Sequence, residues 1–389
     1  MALPLAYNLR SLFLRRTATL MTGAGIACVV AVFISVMALA EGFRAAVATT
    51  GRPDRALILR DGSTAEINSA IDRGAWDLLR TLPLVALGPA GRPLAAADMV
   101  LVLNHGKIPD GTPTNVTVRG MAGEYRALRA EVRLVEGAWF TPGSAEVMVG
   151  RALVGRLQDC RVGGMIRQAG RDWTVVGVFS AGGSAFESEI WGAAEVMLDA
   201  FERKVFQSVT VGLRVPGDAE ALAELFAGDV RLKTLEGTRE DRYYEAQSGM
   251  LTGLIRGLGV FIGVLMAIGA VVGAMNTMYA AVAGRRREIG TLLAMGFSPG
   301  AIFFSFLLES LLLALAGSLL GCLLSLPVNG IATGTTNWAT FSEVAFAFKI
   351  TPSLFLTGIL FGLVMGVLGG ALPALRAARL PAAAALTRL

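Results

Sequence analysis

Apolar residues in this chain fall into two kinds of pattern. In four windows, residues 17–40, 257–284, 301–326 and 350–375, they run on without a charge, or with Glu309 alone. About 20 helical residues at 1.5 Å each cross a hydrocarbon core of roughly 30 Å, so each window predicts a membrane span. The spans are placed at 17–41, 251–283, 301–326 and 351–375. Between the first two the pattern changes to short β-type runs at 56–59, 99–103, 115–118, 132–135, 147–149, 173–179, 209–215 and 230–235. Stretches of helical period alternate with them, at 64–82, 123–129, 152–157, 193–201, 218–226 and 239–250. The expected fold is an α-helical membrane protein with four transmembrane helices and a large mixed α/β extracytoplasmic domain, residues 42–250, inserted between helices 1 and 2. No proline or turn cluster separates Tyr243 from Val260, so the last of these helices is expected to run on as a stalk into the second span.

Basic residues orient the spans. Arg10, Arg15 and Arg16 precede the first, Arg285, Arg286 and Arg287 follow the second, and Arg376, Arg379 and Arg388 follow the fourth. The positive-inside rule puts residues 1–16, 284–300 and 376–389 in the cytoplasm, both termini included, and residues 42–250 and 327–350 outside. Ala38-Leu39-Ala40 also reads as a cleavage site, so a signal peptide ending at Ala40 stays open as the other reading of the first window. Against it stand the length of the apolar run and the apolar face of Leu5, Leu9, Leu12 and Phe13 on a basic lead-in.

The net charge of +5 suggests a basic surface, but from Glu41 to Met250 there are 24 Lys and Arg against 27 Asp and Glu. The excess is cytoplasmic arginine at the lipid membrane, and a basic face for nucleic acid is lacking. One histidine, His105, and the scattered Cys28, Cys160 and Cys322 supply no metal set and no disulfide within residues 42–250. Gly182-Gly183-Ser184 has no triad histidine, and Gly106-Lys107 lacks the glycine pattern of a phosphate loop. An enzyme is not expected, no cofactor is assigned, and any ATP is bound by a separate subunit.

Inside the spans, Gly358, Gly362, Gly366 and Gly370 recur every four residues, with the pairs Gly259/Gly263, Gly269/Gly273 and Gly317/Gly321. Small residues on one face let helices approach closely in lipid, whether within one chain or between subunits. Glu309 lies eight residues into its span, and Asn276 lies at similar depth on the antiparallel one before it. A charge there costs about 2.5–3.5 kcal/mol on insertion scales, which demands a partner: Asn276, or a cytoplasmic arginine such as Arg287. Residues 284–300, GRRREIGTLLAMGFSPG, carry charges at the membrane exit, then Ile289, Leu292, Leu293 and Met295 at helical spacing. They read as an amphipathic helix on the cytoplasmic face or as a solvated hairpin.

The string RRREIGTLLAMGFSPGAIFFSFLLESLLLALAGSLLG resembles the permease signature of the MacB/FtsX-like ABC transporter family, with its R-x-R-E-I-G run, A-x-G turn and E-x-x-x-L span. VEGAWFTPGSAEVMVGRALVGRL, RDWTVVGVF and PALRAARLPAAAAL are similar to further stretches of it. The resemblance implies a dimeric stand-alone permease of the inner membrane of a bacterium, whose residues 42–250 form a MacB-like periplasmic core domain. It implies a cytoplasmic ABC ATPase subunit as partner, met by Arg285, Arg286, Arg287, Glu288, Gly290, Gly296 and Phe297, and it makes Glu309 the family's intramembrane acid. The function it implies is transmission of ATP-driven motion to the outer domain for export, with a periplasmic adaptor as a further partner. An FtsX-like regulator that recruits an extracytoplasmic partner is the alternative, and the substrate is not legible.

Overall fold

A computed structural model describes residues 16–337 and 340–381. The expected lead-in, apart from Arg16, and the tail beyond residue 381 lie outside the described residues. In chain order come α1 (Arg16–Ala48), β1 (Arg55–Arg60), α2 (Arg73–Leu79), β2 (Ala95–Gly106), β3 (Pro113–Gly123) and α3 (Tyr125–Leu128). Next are β4 (Arg133–Gly137), β5 (Glu146–Gly150), β6 (Met165–Gln168), β7 (Arg171–Ser180), β8 (Glu189–Ala193), α4 (Ala194–Ala200) and β9 (Ser208–Gly212). The chain continues through α5 (Ala221–Gly228), β10 (Leu235–Arg239), α6 (Glu240–Gly284), α7 (Arg286–Ala294) and α8 (Pro299–Ser325). It closes with β11 (Ala332–Thr336), β12 (Glu343–Ala347) and α9 (Pro352–Ala378). Among the described residues, α1, α6, α8 and α9 are long and apolar enough to cross a membrane.

The chain divides into two compact units. The helical unit comprises residues 1–41, 253–331 and 348–389; the α/β unit comprises residues 42–252 and 332–347. Close approach of backbones organises the helical unit. Gly358, Gly362, Gly366 and Gly370 of α9 are all buried against the same chain. A Cβ at Gly366 would come within 2.5 Å of Ala314, one at Gly370 within 2.5 Å of Ser310, and one at Gly362 would overlap Ser318. Ser310, Ala314 and Ser318 recur every four residues on α8, so two small-residue stripes face each other, and Ser310 Oγ donates to the Gly366 carbonyl at 2.6 Å. Gly317 and Gly321 leave room in the same way for Ile26 and Val30 of α1, and Gly263 for Phe33. Gly269 and Gly273 have open space around them.

In the α/β unit β1 to β10 form one ten-stranded sheet in the order β10-β1-β9-β2-β3-β8-β5-β7-β4, with β6 paired to β7. β3–β8 and β5–β7 are parallel; the other pairs are antiparallel. The two-residue period of a strand sorts its side chains onto two faces. Ile58, Val209, Ala97, Met99, Val118 and Ile190 belong to the large apolar core with Leu79 of α2, Met197 of α4 and Leu222 of α5. Asp98, Ser208, Arg119 and Glu189 fall on the alternate positions and are buried as well.

Four expectations change, the first being that residues 152–157 form no α-helix, only the end of a 3₁₀ turn at Arg151–Leu153. Residues 64–82 are not one helix: a 3₁₀ turn at Glu66–Asn68 is followed by extended chain, and Asp72 caps α2 by accepting from Ala75 N at 2.8 Å. The strand expected at 230–235 lies at Leu235–Arg239, because Asp229 accepts from Arg231 N at 2.9 Å and turns the chain first. The segment 327–350, expected as a loop, contains the β11–β12 hairpin, paired from Ala332↔Ala347 to Thr336↔Glu343. That hairpin belongs to the α/β unit, where Phe346 meets Phe43 edge-on at 5.5 Å. The stalk, by contrast, is continuous: α6 runs 45 residues without a break.

Candidate functional site

The charged segment after α6 folds as the amphipathic helix α7. Ile289 and Leu293 form its inner side, packed with Met278 and Val282 of α6, Ile302 and Phe306 of α8 and Ala374 and Ala377 of α9. Arg286, Arg287 and Glu288 are exposed on its outer side. Gly296 ends the helix at φ 92°, a conformation that side chains rarely adopt. Gly296 N bonds Leu293 O at 3.1 Å and Phe297 N bonds Leu292 O at 3.1 Å, which closes the last turn as a Schellman cap. Ser298 then starts α8 by accepting from Ala301 N at 3.3 Å, with Pro299 in the first turn. Gly-Phe-Ser-Pro is therefore a stop and a start, and it holds α7 between two longer helices at fixed ends.

The residues carried over by resemblance divide by side. Arg286, Arg287, Glu288 and Gly296 are exposed and Phe297 is half-buried, while Arg285 and Gly290 are buried. Arg285, expected to face a partner, turns inward instead. Its Nη1 donates to Glu309 Oε2 at 2.9 Å, its Nε donates to Glu288 Oε2 at 3.1 Å, and its guanidinium lies 5.2 Å from the Phe306 ring centre. The break in helical geometry at Arg285, with φ −116°, sits between α6 and α7.

Of the two partners expected for Glu309, Asn276 and a cytoplasmic arginine such as Arg287, it takes an arginine, but the one at Arg285. Glu309 is 4% exposed and is held by Arg285, whereas Asn276 is exposed on α6. A permanently charged guanidinium answers a buried carboxylate better than a neutral amide can, because both charges are then compensated. Equal depth in two helices does not make two side chains face each other; near this level α6 bonds α1 through Thr277, whose Oγ1 accepts from Thr22 Oγ1 at 2.8 Å.

A second charged centre, in the α/β unit, escaped the sequence. Arg119 of β3 is 1% exposed and forks onto Glu66 at 2.8 and 3.0 Å and onto Glu189 at 2.8 and 3.0 Å. Nη1 also donates to Asp98 Oδ2 at 3.0 Å. Ser208 Oγ donates to Glu66 at 2.6 Å and Trp191 Nε1 to Glu189 at 2.7 Å. Burial acts to raise the Glu66 carboxyl, but the charge and hydrogen bonds of Arg119 outweigh it and hold the group below its ordinary range. These residues are distant in sequence and lie on ordinary-looking strands and turns. The one local signal is the charge of Asp98 and of Arg119 at alternate positions of otherwise apolar strands.

Comparison with known proteins joins the two units. Residues 19–227 match the MacB-like periplasmic core domain and residues 260–382 the FtsX-like permease C-terminal region. The chain belongs to the MacB/FtsX-like ABC transporter permease family. It is similar to the macrolide export ATP-binding/permease protein MacB of Chlorobium luteolum, 26% identical over 91% of this chain and 56% of the relative. The MacB of Pasteurella multocida is 25% identical over 97% of this chain and 59% of the relative. The chain thus spans little more than half the length of these curated relatives. An uncharacterized ABC transporter permease of Bacillus subtilis, YknZ, is 26% identical over 69% of this chain and 68% of its own length. Among solved structures, the extracellular domain of the noncanonic ABC-type transporter YknZ from Gram-positive bacteria matches 47% of the chain at 14% identity, with a TM-score of 0.34. Family and apolar helices together make this a membrane-embedded permease.

Proposed function

We propose that this chain is the permease subunit of an ABC transporter and that it passes the ATP-driven motion of a separate ATPase subunit to its α/β unit, for export or extraction of a substrate. In this reading α1, α6, α8 and α9 span the bacterial inner membrane as part of a homodimer. Both termini and α7 face the cytoplasm, and the α/β unit lies outside, where an adaptor is a further partner. ATP is bound by the ATPase subunit; the permease supplies the lever.

The observation that carries the reading is the division of α7. Its inner side is bonded into α6, α8 and α9 through Ile289, Leu293 and the neighbouring Arg285–Glu309 pair, while Arg286 and Arg287 point away. A push on the outer side therefore moves three long helices together, since packed side chains transmit displacement. The 45-residue continuity of α6 gives that push an unbroken path. The test is co-purification. Arg286→Glu with Arg287→Glu is expected to release the ATPase subunit while the permease still inserts and folds, and unchanged recovery of the ATPase would overturn the assignment.

A further inference from the structure

Three stretches of chain in the α/β unit continue into the apolar helices: the end of α1, the start of α6 and the β11–β12 hairpin between α8 and α9. The start of α6 and the chain leaving α1 meet one row of charge, and the hairpin bonds Ser188 beside its first member. From Arg119 the row passes through Asp98 Oδ2, which also accepts from Arg129 Nη2 at 3.1 Å. Arg129 Nη1 donates to Glu240 Oε1 at 3.2 Å, and Glu240 is the first residue of α6, with no exposure at all. Its other oxygen accepts from the backbone N–H of Arg52 at 3.1 Å and faces Arg55 Nη1 at 3.5 Å. Arg55 goes on to Glu131 in a fork of 2.8 and 2.7 Å. Signs alternate along Glu189, Arg119, Asp98, Arg129, Glu240, Arg55 and Glu131, so every interior member is attracted from both sides.

The backbones are equally close. A Cβ at Gly51 would overlap the backbone of Glu240 and Asp241. Thr50 Oγ1 accepts from Ala185 N at 3.0 Å, and Ser188 Oγ, beside Glu189, accepts from Ala345 N of β12 at 2.8 Å. Glu240 is wholly out of water, with Arg129 and Arg55 set against its two oxygens. A buried charge in that position is a poor source of stability, since apolar side chains of the same volume often hold as well or better. What it does supply is direction: two arginines and one backbone N–H admit a single placement of the helix terminus.

We propose that Glu240 is a positioning residue for energy transmission. It locks the N-terminus of α6 and the chain leaving α1 to the sheet through Arg129, so that displacement of α6 reaches β2, β3 and β8 instead of being lost as bending at the head of the helix. The proposal rests on the permease reading above.

The test uses the full-length permease with its ATPase subunit in lipid nanodiscs, spin-labelled at Glu136→Cys and Met295→Cys in a Cys28→Ser background. Distances are compared between the nucleotide-free and ATP–vanadate states. The otherwise unsubstituted chain is expected to shift its distance distribution. Glu240→Gln keeps its melting temperature, because Arg129 retains Asp98 and Arg55 retains Glu131, but it loses most of the shift while still hydrolysing ATP. Glu240→Asp restores part of it, and Glu131→Gln, at the outer end of the row, leaves it intact. Thr50→Val, which removes the bond from Ala185 N and the bond from Thr50 Oγ1 to the Ala46 carbonyl of α1, also weakens the shift and decides the matter if Glu240→Gln fails to fold. A full shift in Glu240→Gln, or in Thr50→Val where the first does not fold, overturns the proposal. Absence of any shift without these substitutions, with the ATPase bound, overturns the permease reading instead.

Discussion

Arg285 and Arg119 are both buried arginines held by carboxylates, and their surroundings differ in kind. Arg285, in the helical unit, has one deeply buried partner, Glu309, and a second, Glu288, whose side chain is 58% exposed. Arg119, in the α/β unit, is saturated by Glu66, Glu189 and Asp98, none of which is exposed, and is one link in a longer row. Where helices are apolar all round, each charge is expensive and the economical arrangement is one pair at a helix junction. Where a sheet has a second face to cover, a larger ionic layer can be completed by turns and helix ends. The first arrangement joins helices at one point; the second sets the directions of many elements together.

That contrast can be broken most severely at Arg119. Arg119→Leu leaves three carboxylates buried without their main partner and is expected to cost about 3–5 kcal/mol, enough to unfold the α/β unit. Limited proteolysis and thermal melting of the full chain would show it, and a melting temperature within a few degrees of the parent would mean the layer is not structural. Glu309→Ala is expected to cost less, about 3 kcal/mol, because Arg285 keeps Glu288. A double-mutant cycle sharpens this. Arg285 and Glu309 should couple by more than about 1 kcal/mol and Asn276 and Glu309 by less than about 0.5, and the reverse order would restore the contact expected from depth alone. Smallest is the effect of Gly362→Ala, where the added methyl meets Ser318. A loss of about 1–3 kcal/mol is expected, recovered in part by Ser318→Gly, as read by detergent-resistant thermal stability. No recovery would mean that the stripe on α9 is not packed on α8.

The glycine stripe was legible because its period is that of a helix face, but which neighbour it meets was not. Ser310, Ala314 and Ser318 are unremarkable until α8 and α9 are side by side. Glu309 stood out because a lone acid in an apolar run must have a partner. Of the two partners expected, an arginine was right in kind, but Arg285 was read as part of an outward-facing cluster, and one residue at a helix break points opposite to the next. The ionic layer was invisible for a related reason: Glu66, Asp98, Arg119, Glu189 and Glu240 are spread over five elements and only strand pairing brings them together.

By itself the sequence left α7 open between an amphipathic helix and a solvated hairpin, and it determined the four apolar helices, the α/β character of residues 42–250 and the unbroken α6. Each of these follows from local periodicity, and length against a fixed rise per residue does the rest. Tertiary structure alone decided that Arg285 faces inward, that β11–β12 joins the α/β unit, and that a row of opposed charges passes through the head of α6. Those are consequences of which faces meet, and burial makes an unpaired charge so costly that partners are chosen by three-dimensional proximity, whatever their distance along the chain.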